Sequence, residues 1–208
     1  RETFMAKPYT QEAGNGLHVH FSILDNNRKN IFDNASEKGS KYLLSAISGC
    51  LDFMQDSTLI FAPNHNSYDR FIAGAHAPTI INWGYENRTT AIRIPGGPNN
   101  AKRIEHRVAG GDANPYLVLA AILGAALNGM ENKINLPKPI SGNGYNSSGD
   151  SIIKDWKKSI ERFSSSQKIK EIFDPLLIRS LVDCKKQELN YFKDKSHNEI
   201  IQTTINVI

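Results

Sequence analysis

Residues 87–134 read NRTTAIRIPGGPNNAKRIEHRVAGGDANPYLVLAAILGAALNGMENKI, and this stretch decides the fold. Thr89–Ile94 and Arg103–Val108 are strand-like runs, with β-branched residues in near-alternation. Gly96, Gly97, Pro98, Asn99 and Asn100 punctuate the link between them. Asn114-Pro115 then offers an N-cap followed by Pro at the first helical position. The apolar run beyond it, to about Ile134, is hydrophobic nearly all round and predicts a buried helix. Two strands feeding one buried helix set the pattern for the rest of the chain.

Upstream, the turn signal Gly14-Asn15-Gly16 precedes Leu17–Leu24, an alternating run that predicts a strand. Thr3–Ala6 is also strand-like. Lys41–Met54 carries Leu43, Leu44, Ile47, Leu51, Phe53 and Met54 at helical spacing. Pro63–Tyr68 reads as a polar loop. Downstream, composition shifts near Pro137, and residues 141–151 are a Ser-, Gly- and Asn-rich loop. Amphipathic helices are expected at about 151–163, 166–173 and 175–194. Residues 151–208 hold 11 of the 25 Lys and Arg, interspersed with acids, which reads as a solvated helix face. Strands with one interposed helix, followed by a run of helices, argue an α+β fold.

Composition excludes several classes. The chain has 208 residues, 39% hydrophobic and 22% charged, so neither a disordered chain nor a fibrous repeat fits. The longest apolar stretch, Tyr116–Leu127, is too short to span a bilayer. No charged-then-apolar leader opens the chain, and the expectation is a cytoplasmic protein with no membrane partner. Cys50 and Cys184 sit in helical patterns and read as small buried hydrophobes rather than a disulfide framework. The net charge of +4 bounds little.

Three constellations could carry chemistry. His18-Val19-His20 places two imidazoles on one strand face. A structural histidine pair and a metal or anion site are both open readings, and the glycines just ahead permit close ligand approach. In Arg103-Ile104-Glu105-His106-Arg107 the two arginines and Glu105 share one face. That face is either a self-neutralising ion-pair stripe or a site with Glu105 on a metal and guanidiniums on carboxylate or phosphate. Arg88 and Arg93 bracket the third strand-like run. With Arg70, five arginines fall between positions 70 and 107, against only Glu86 and Glu105 beyond Arg70. A cationic pocket for anionic ligands follows. Nucleic acid is disfavoured, because no recognised motif or interleaved aromatic platform occurs. No Gly-rich Walker loop, dinucleotide fingerprint or Gly-x-Ser-x-Gly elbow occurs either, so any ATP site is of an unusual kind.

These segments resemble the glutamine synthetase family. The resemblance rests on Gly14-Asn15-Gly16-Leu17-His18-Val19-His20-Phe21-Ser22, Asn66-Ser67-Tyr68-Asp69-Arg70, Asn87 to Pro95, Arg103 to Arg107, and Ala113-Asn114-Pro115-Tyr116. Order and spacing agree over about residues 2–134, and the C-terminal third matches only in character. The resemblance implies a curved, mostly antiparallel sheet with outer helices, of the glutamine synthetase/guanido kinase-like kind, with its N-terminal part missing. Residues 1–208 would be the C-terminal part of such a catalytic domain: active-site strands and buried helix over 1–135, loop and helices over 136–208.

Roles follow from the resemblance. His18 and Glu105 would ligate Mg²⁺ or Mn²⁺. His20 and Ser22 would contact ATP, as would Arg93 and Arg103. Arg88 would face the transferring phosphate. Arg70 and Arg107 would hold the glutamate carboxylate and the reacting γ-carboxyl region, and Gly14 would sit where backbone meets the amino-acid substrate. The implied activity is ATP-dependent ligation of glutamate to ammonia or an amine through γ-glutamyl phosphate, in a ring-shaped homo-oligomer. A non-catalytic nucleotide-binding or structural module is the alternative. The 208 residues alone are expected to have weak or no activity. Departures point away from ammonia: His76 stands where ammonia users carry a Glu, Ala13 stands where they carry an Asn, and Trp83-Gly84-Tyr85-Glu86-Asn87-Arg88 resembles the γ-glutamylpolyamine and γ-glutamylamine synthetase form. Lys102 is a candidate for a nucleotide-contacting lysine. Tyr145 reads as a loop residue.

Overall fold

The computed structural model describes residues 3–132 and 134–205. Arg1, Glu2, Lys133 and residues 206–208, and with them both ends of the 1–208 assignment, lie outside the described residues. Four short strands form one sheet: β1 (Val19–Phe21), β2 (Trp83–Tyr85), β3 (Ile92–Ile94) and β4 (Ile104–His106), in spatial order β1-β4-β3-β2. β4 is antiparallel to both β1 and β3, with Glu105 opposite His20 on one side and Arg93 on the other. β2 pairs parallel to β3. The expected α+β class and mostly antiparallel sheet are therefore present, with one parallel edge.

The strands are shorter than the alternation suggests. Leu17–Leu24 narrows to three paired residues, after which Leu24 bridges to Asn30 across a turn. That turn is organised by the Asp25 carboxylate, which accepts from the backbone of Asn27 and Lys29. Thr3–Ala6 is not a strand: Met5 and Ala6 are buried, but Asn15 caps this segment by donating to the Phe4 and Met5 carbonyls. Side chain–backbone bonds thus replace a ladder.

Helix α1 (Lys41–Asp52) starts at an N-cap serine, Ser40. A short α2 (Thr58–Phe61) follows. The expected loop at Pro63–Tyr68 instead carries a 3₁₀ helix, His65–Arg70, because Asn64 and Ser67 cap each other reciprocally. Helix α3 (Pro115–Glu131) begins as predicted, with Asn114 accepting from Tyr116 and Leu117. It is not buried all round. Val118, Ala121, Ile122, Ala125 and Ala126 face the core, whereas Tyr116, Leu119, Leu123 and Leu127 are exposed. An all-apolar helix does not announce which face is packed; here the glycines decide. A Cβ on Gly49 of α1 would fall 2.0 Å from the Ala125 carbonyl, and one on Gly129 of α3 would fall 2.2 Å from the Ser45 carbonyl. The two helices touch backbone to backbone.

Three further helices complete the described chain: α4 (Trp156–Ser165), α5 (Pro175–Phe192) and α6 (His197–Thr204). The helix expected from 151 starts at Trp156, because Ser151 bridges to Ile80 and Asp155 supplies the cap. The expected 166–173 helix shortens to a 3₁₀ turn at Lys168–Glu171. Helix α6 was not expected, although Ser196 and Glu199 form a capping box. Cys50 is buried, and burial pushes its thiol up to about 12. Cys184 is exposed on α5, contrary to expectation, since the polar face of that helix carries it. Among the described residues no helix is long and apolar enough to cross a membrane.

Candidate active site

Strand β4 builds the centre. Its alternation sends Ile104 and His106 into the core and leaves Arg103, Glu105 and Arg107 on the opposite face. Register places His20 and Arg93 beside Glu105 on the flanking strands, about 4.8 Å away on either side. The Glu105 side chain is 3% exposed, and its two oxygens are shared among cations. Arg93 Nη1 donates to Oε2 at 2.9 Å, and Arg107 Nη1 donates to Oε1 at 2.5 Å. His18 Nδ1 lies 3.2 Å from Oε1 and His20 Nε2 3.7 Å from it.

Burial alone would raise the Glu105 carboxyl, but Arg107 and Arg93 together hold it below the usual carboxylate range. His18 is driven below the ordinary imidazole range, first by burial and then by the Arg107 charge, against the pull of Glu105. A neutral imidazole beside an ionised carboxylate results, which is the protonation state a metal requires. Among the described residues no cluster of three or more His, Cys, Asp or Glu could hold a metal. One carboxylate and one imidazole fit a Mg²⁺ or Mn²⁺ as a partial ligand set.

Charge continues outward from Glu105. Arg93 Nη2 reaches Glu86 Oε1 at 3.2 Å, so one guanidinium spans two carboxylates. The Gly96 backbone N–H also donates to Glu86, and with Arg93 it keeps that exposed carboxyl low. Arg107 Nη2 donates to the Arg88 carbonyl at 2.9 Å, which fixes the backbone while the Arg88 side chain is exposed. Arg103 Nε donates to His20 Nδ1 at 3.3 Å. His18, His20, Arg93, Arg103, Glu105 and Arg107 therefore form one connected cluster.

The remaining expected residues sit elsewhere. Ser22 is exposed one residue past β1. Lys102 is buried and donates to the Glu37 carbonyl at 2.9 Å. Arg70 is 2% exposed and is engaged with backbone, donating to Val108 O at 3.1 Å. Gly14 packs on its side chain: a Cβ there would fall 2.8 Å from Arg70 Cγ. His76 is exposed at φ 66° on the turn after Phe71.

Two acids beside these residues were not expected at the site: Glu86, on Arg93, and Asp112, near Arg70. Asp112 Oδ2 accepts from Ser67 Oγ at 2.5 Å and Asn64 Nδ2 at 3.0 Å. A Cβ on Gly110 would touch both Asp112 Oδ1 and Arg70 Nε, so that glycine lets the acid and the guanidinium share one small space. Neither of those two atoms has a hydrogen-bond partner among the described residues. Glu86 was visible as a rare acid among arginines. Asp112 carried no such mark.

Known proteins share this sequence and fold. A family model described as "Glutamine synthetase, catalytic domain" matches residues 1–203. The γ-glutamylputrescine synthetase of Escherichia coli K12 is 38% identical over 191 residues, which cover 92% of this chain and 40% of that protein. The γ-glutamylethanolamide synthetase of Streptomyces coelicolor is 34% identical over 192 residues, 91% of this chain and 40% of that protein. A solved GmaS/ADP complex superposes with a TM-score of 0.84 at 26% identity, covering 98% of this chain and 49% of that one. The chain thus spans about 40% of the length of these curated relatives. With its strand-borne cluster and a family match that runs over nearly all its residues, the chain belongs to the glutamine synthetase catalytic-domain family, with γ-glutamylamine synthetases among its relatives.

Proposed function

We propose that these residues are the C-terminal part of a cytoplasmic, ring-forming, ATP-dependent ligase that joins the γ-carboxylate of glutamate to an organic amine. The observation that supports this reading best is Glu105, ionised and held between Arg93, Arg107 and His18 on one sheet face. A γ-carboxylate oxygen of glutamate attacks the γ-phosphorus of ATP, and ADP leaves. The amine nitrogen then attacks the γ-carbonyl carbon, inorganic phosphate leaves and the nitrogen loses a proton.

The chain's residues have defined parts in this scheme. Arg88, exposed and tethered through its carbonyl to Arg107, meets the transferring phosphoryl group. Arg93 and Arg103, with His20 and Ser22, border the nucleotide. Arg107 and Arg70 hold the glutamate end, with Gly14 giving Arg70 its room. Charge stabilisation of this kind carries most of phosphoryl-transfer catalysis. His18 and Glu105 would hold Mg²⁺ or Mn²⁺, which would neutralise phosphate charge there. His76, in place of an acid, gives no anion to bind NH₄⁺, which favours an organic acceptor.

The test is glutamate-dependent ADP release by the complete polypeptide that contains these residues, with ammonia, methylamine, ethanolamine and putrescine compared. An organic amine is expected to give the highest kcat/KM. Ammonia proving the best acceptor would overturn the amine assignment, and nucleotide binding without turnover by any acceptor would favour a non-catalytic module.

A further inference from the structure

Arg93 stands between two carboxylates of unequal grip. Its Nη1 donates to Glu105 Oε2 at 2.9 Å, where that carboxylate is 3% exposed. Its Nη2 is shared between the two oxygens of Glu86, at 3.2 and 3.4 Å, and the Glu86 side chain is 59% exposed. A buried ion pair is costly to break from one side, whereas an exposed pair is screened by water and contributes little. Arg107 is committed at both ends, to Glu105 and to the Arg88 carbonyl. The Glu86 contact is therefore the yielding side of Arg93.

The backbone holds Glu86 in this place. It follows β2 directly and has φ 50°, a left-handed conformation that a residue with a Cβ keeps only where its surroundings fix it. Its N–H donates to the carbonyl of Ile94, the last residue of β3, at 3.0 Å. The carboxylate lies against Gly96: the Gly96 N–H donates to Oε1, and a Cβ on Gly96 would fall 3.1 Å from Glu86 Cδ. A second donor is thus in place for the carboxylate when it parts from Arg93. A cavity of about 500 Å³ opens beside it, lined by Tyr85, Ile94, Pro95, Gly96, Gly97 and Glu86 itself, so the side chain has room to turn away.

We propose that Glu86 is a displaceable counter-ion, which keeps the outer arm of Arg93 occupied until a phosphate oxygen of the nucleotide takes its place. This rests on the ligase reading above, in which Arg93 borders the nucleotide. In the connected cluster Arg93, Arg103 and Arg107 face two carboxylates, Glu105 and Glu86, so the cluster attracts a further anion. An oxyanion that replaced Glu105 would strip Arg107 as well as Arg93 of its buried partner. One that replaces Glu86 leaves Glu105 in place on Arg93, and the Gly96 N–H retains the departing carboxylate. Glu86 is a positioning residue: it acts on the ligand through Arg93 and does not itself bind it.

The experiment measures ADP binding by calorimetry, with Mg²⁺ present, in the complete polypeptide that contains these residues. Wild type, Glu86→Gln, Arg93→Lys and the double variant are compared. Glu86→Gln removes the competing charge and is expected to tighten ADP about three- to fivefold, the span an exposed ion pair can withhold. Arg93→Lys keeps a cation on Glu105 and loses the second arm. Adding Glu86→Gln to it should therefore change ADP affinity by less than about 1.5-fold. An equal gain in both backgrounds would show a long-range field rather than a contact and overturn the proposal, as would ADP binding that is unchanged or weaker in Glu86→Gln. Glu86→Asp repeats the test with Arg93 intact and the charge retained. Its carboxylate is one methylene short of Arg93, so it should tighten ADP as well, and affinity at or below that of wild type overturns the proposal. Thermal melting of each variant reports folding, and the Asp variant carries the test if Arg93→Lys unfolds. A wild-type protein that binds no ADP would instead defeat the nucleotide part of the ligase reading, and this proposal with it.

Discussion

Glu105 neutralises two guanidiniums at once, so removing its charge should cost more than a surface ion pair would. In a Glu105→Gln variant Arg93 and Arg107 face each other across an uncharged amide, both largely buried. Breaking one side of a buried ion pair costs about 3–5 kcal/mol. Urea denaturation should therefore show Glu105→Gln destabilised by about 3 kcal/mol, and a loss below about 1 kcal/mol would show that the cluster is solvated. Asp112→Ala makes a parallel case at Arg70. Burial pulls the Arg70 guanidinium down and Asp112 opposes that shift, while Ser67 and Asn64 both donate to the same acid. Loss of about 2–3 kcal/mol is expected from stranding those partners. Unchanged stability would mean that backbone carbonyls alone hold Arg70. Glu105 could be singled out from sequence because alternation aligns it with Arg103 and Arg107. Its bond to Arg93 could not, because that bond depends on the β3–β4 register, which only pairing reveals.

At the scale of the element, the contact between α1 and α3 is the one that side-chain pattern hides. Gly49 and Gly129 bring the two backbones together, and any Cβ must push a helix away. Gly49→Ala should cost about 3 kcal/mol, at the upper end of overpacking penalties, read as a lowered denaturation midpoint. A gain in stability, as helix propensity alone would give at this position, would show that the helices part easily. The start of α3 was legible from residues with a mechanism, Asn114-Pro115. The packed face of α3 was not, because an apolar residue lies on every side and the selecting residues have no side chain. Strand β2 escaped for a related reason: it is three residues long and pairs parallel to a partner reached through the Asn87–Thr90 turn, where the Asn87 side chain accepts from Thr89. Motif resemblance supplied much of what periodicity could not, but it said nothing of how the 141–151 loop bonds to the turn that carries Arg88.

For the molecule as a whole, the core holds a group whose titration opposes folding. His106 is fully buried on the inward face of β4, its ring 4.7 Å from that of Phe61, and its Nδ1 has no hydrogen-bond partner among the described residues. Burial first, and then the His18 charge, lower its pKa to about 3. The unfolded chain binds a proton near the ordinary value of about 6.5, so between these two values the unfolded state holds more protons than the native state. Stability from this group is complete above about pH 6.5 and is lost as pH falls toward 3. Each pH unit well inside that window costs about 1.4 kcal/mol, or about 2 kcal/mol between pH 7 and pH 5. His106→Leu keeps the volume and removes the proton site, so its unfolding free energy should fall by about 2 kcal/mol less than wild type over the same interval. Denaturant titrations of both proteins at pH 7 and pH 5 measure the difference directly. Parallel losses in the two proteins would place the acid sensitivity on the surface carboxylates and histidines instead, and would mean that His106 is reached by water in the native fold.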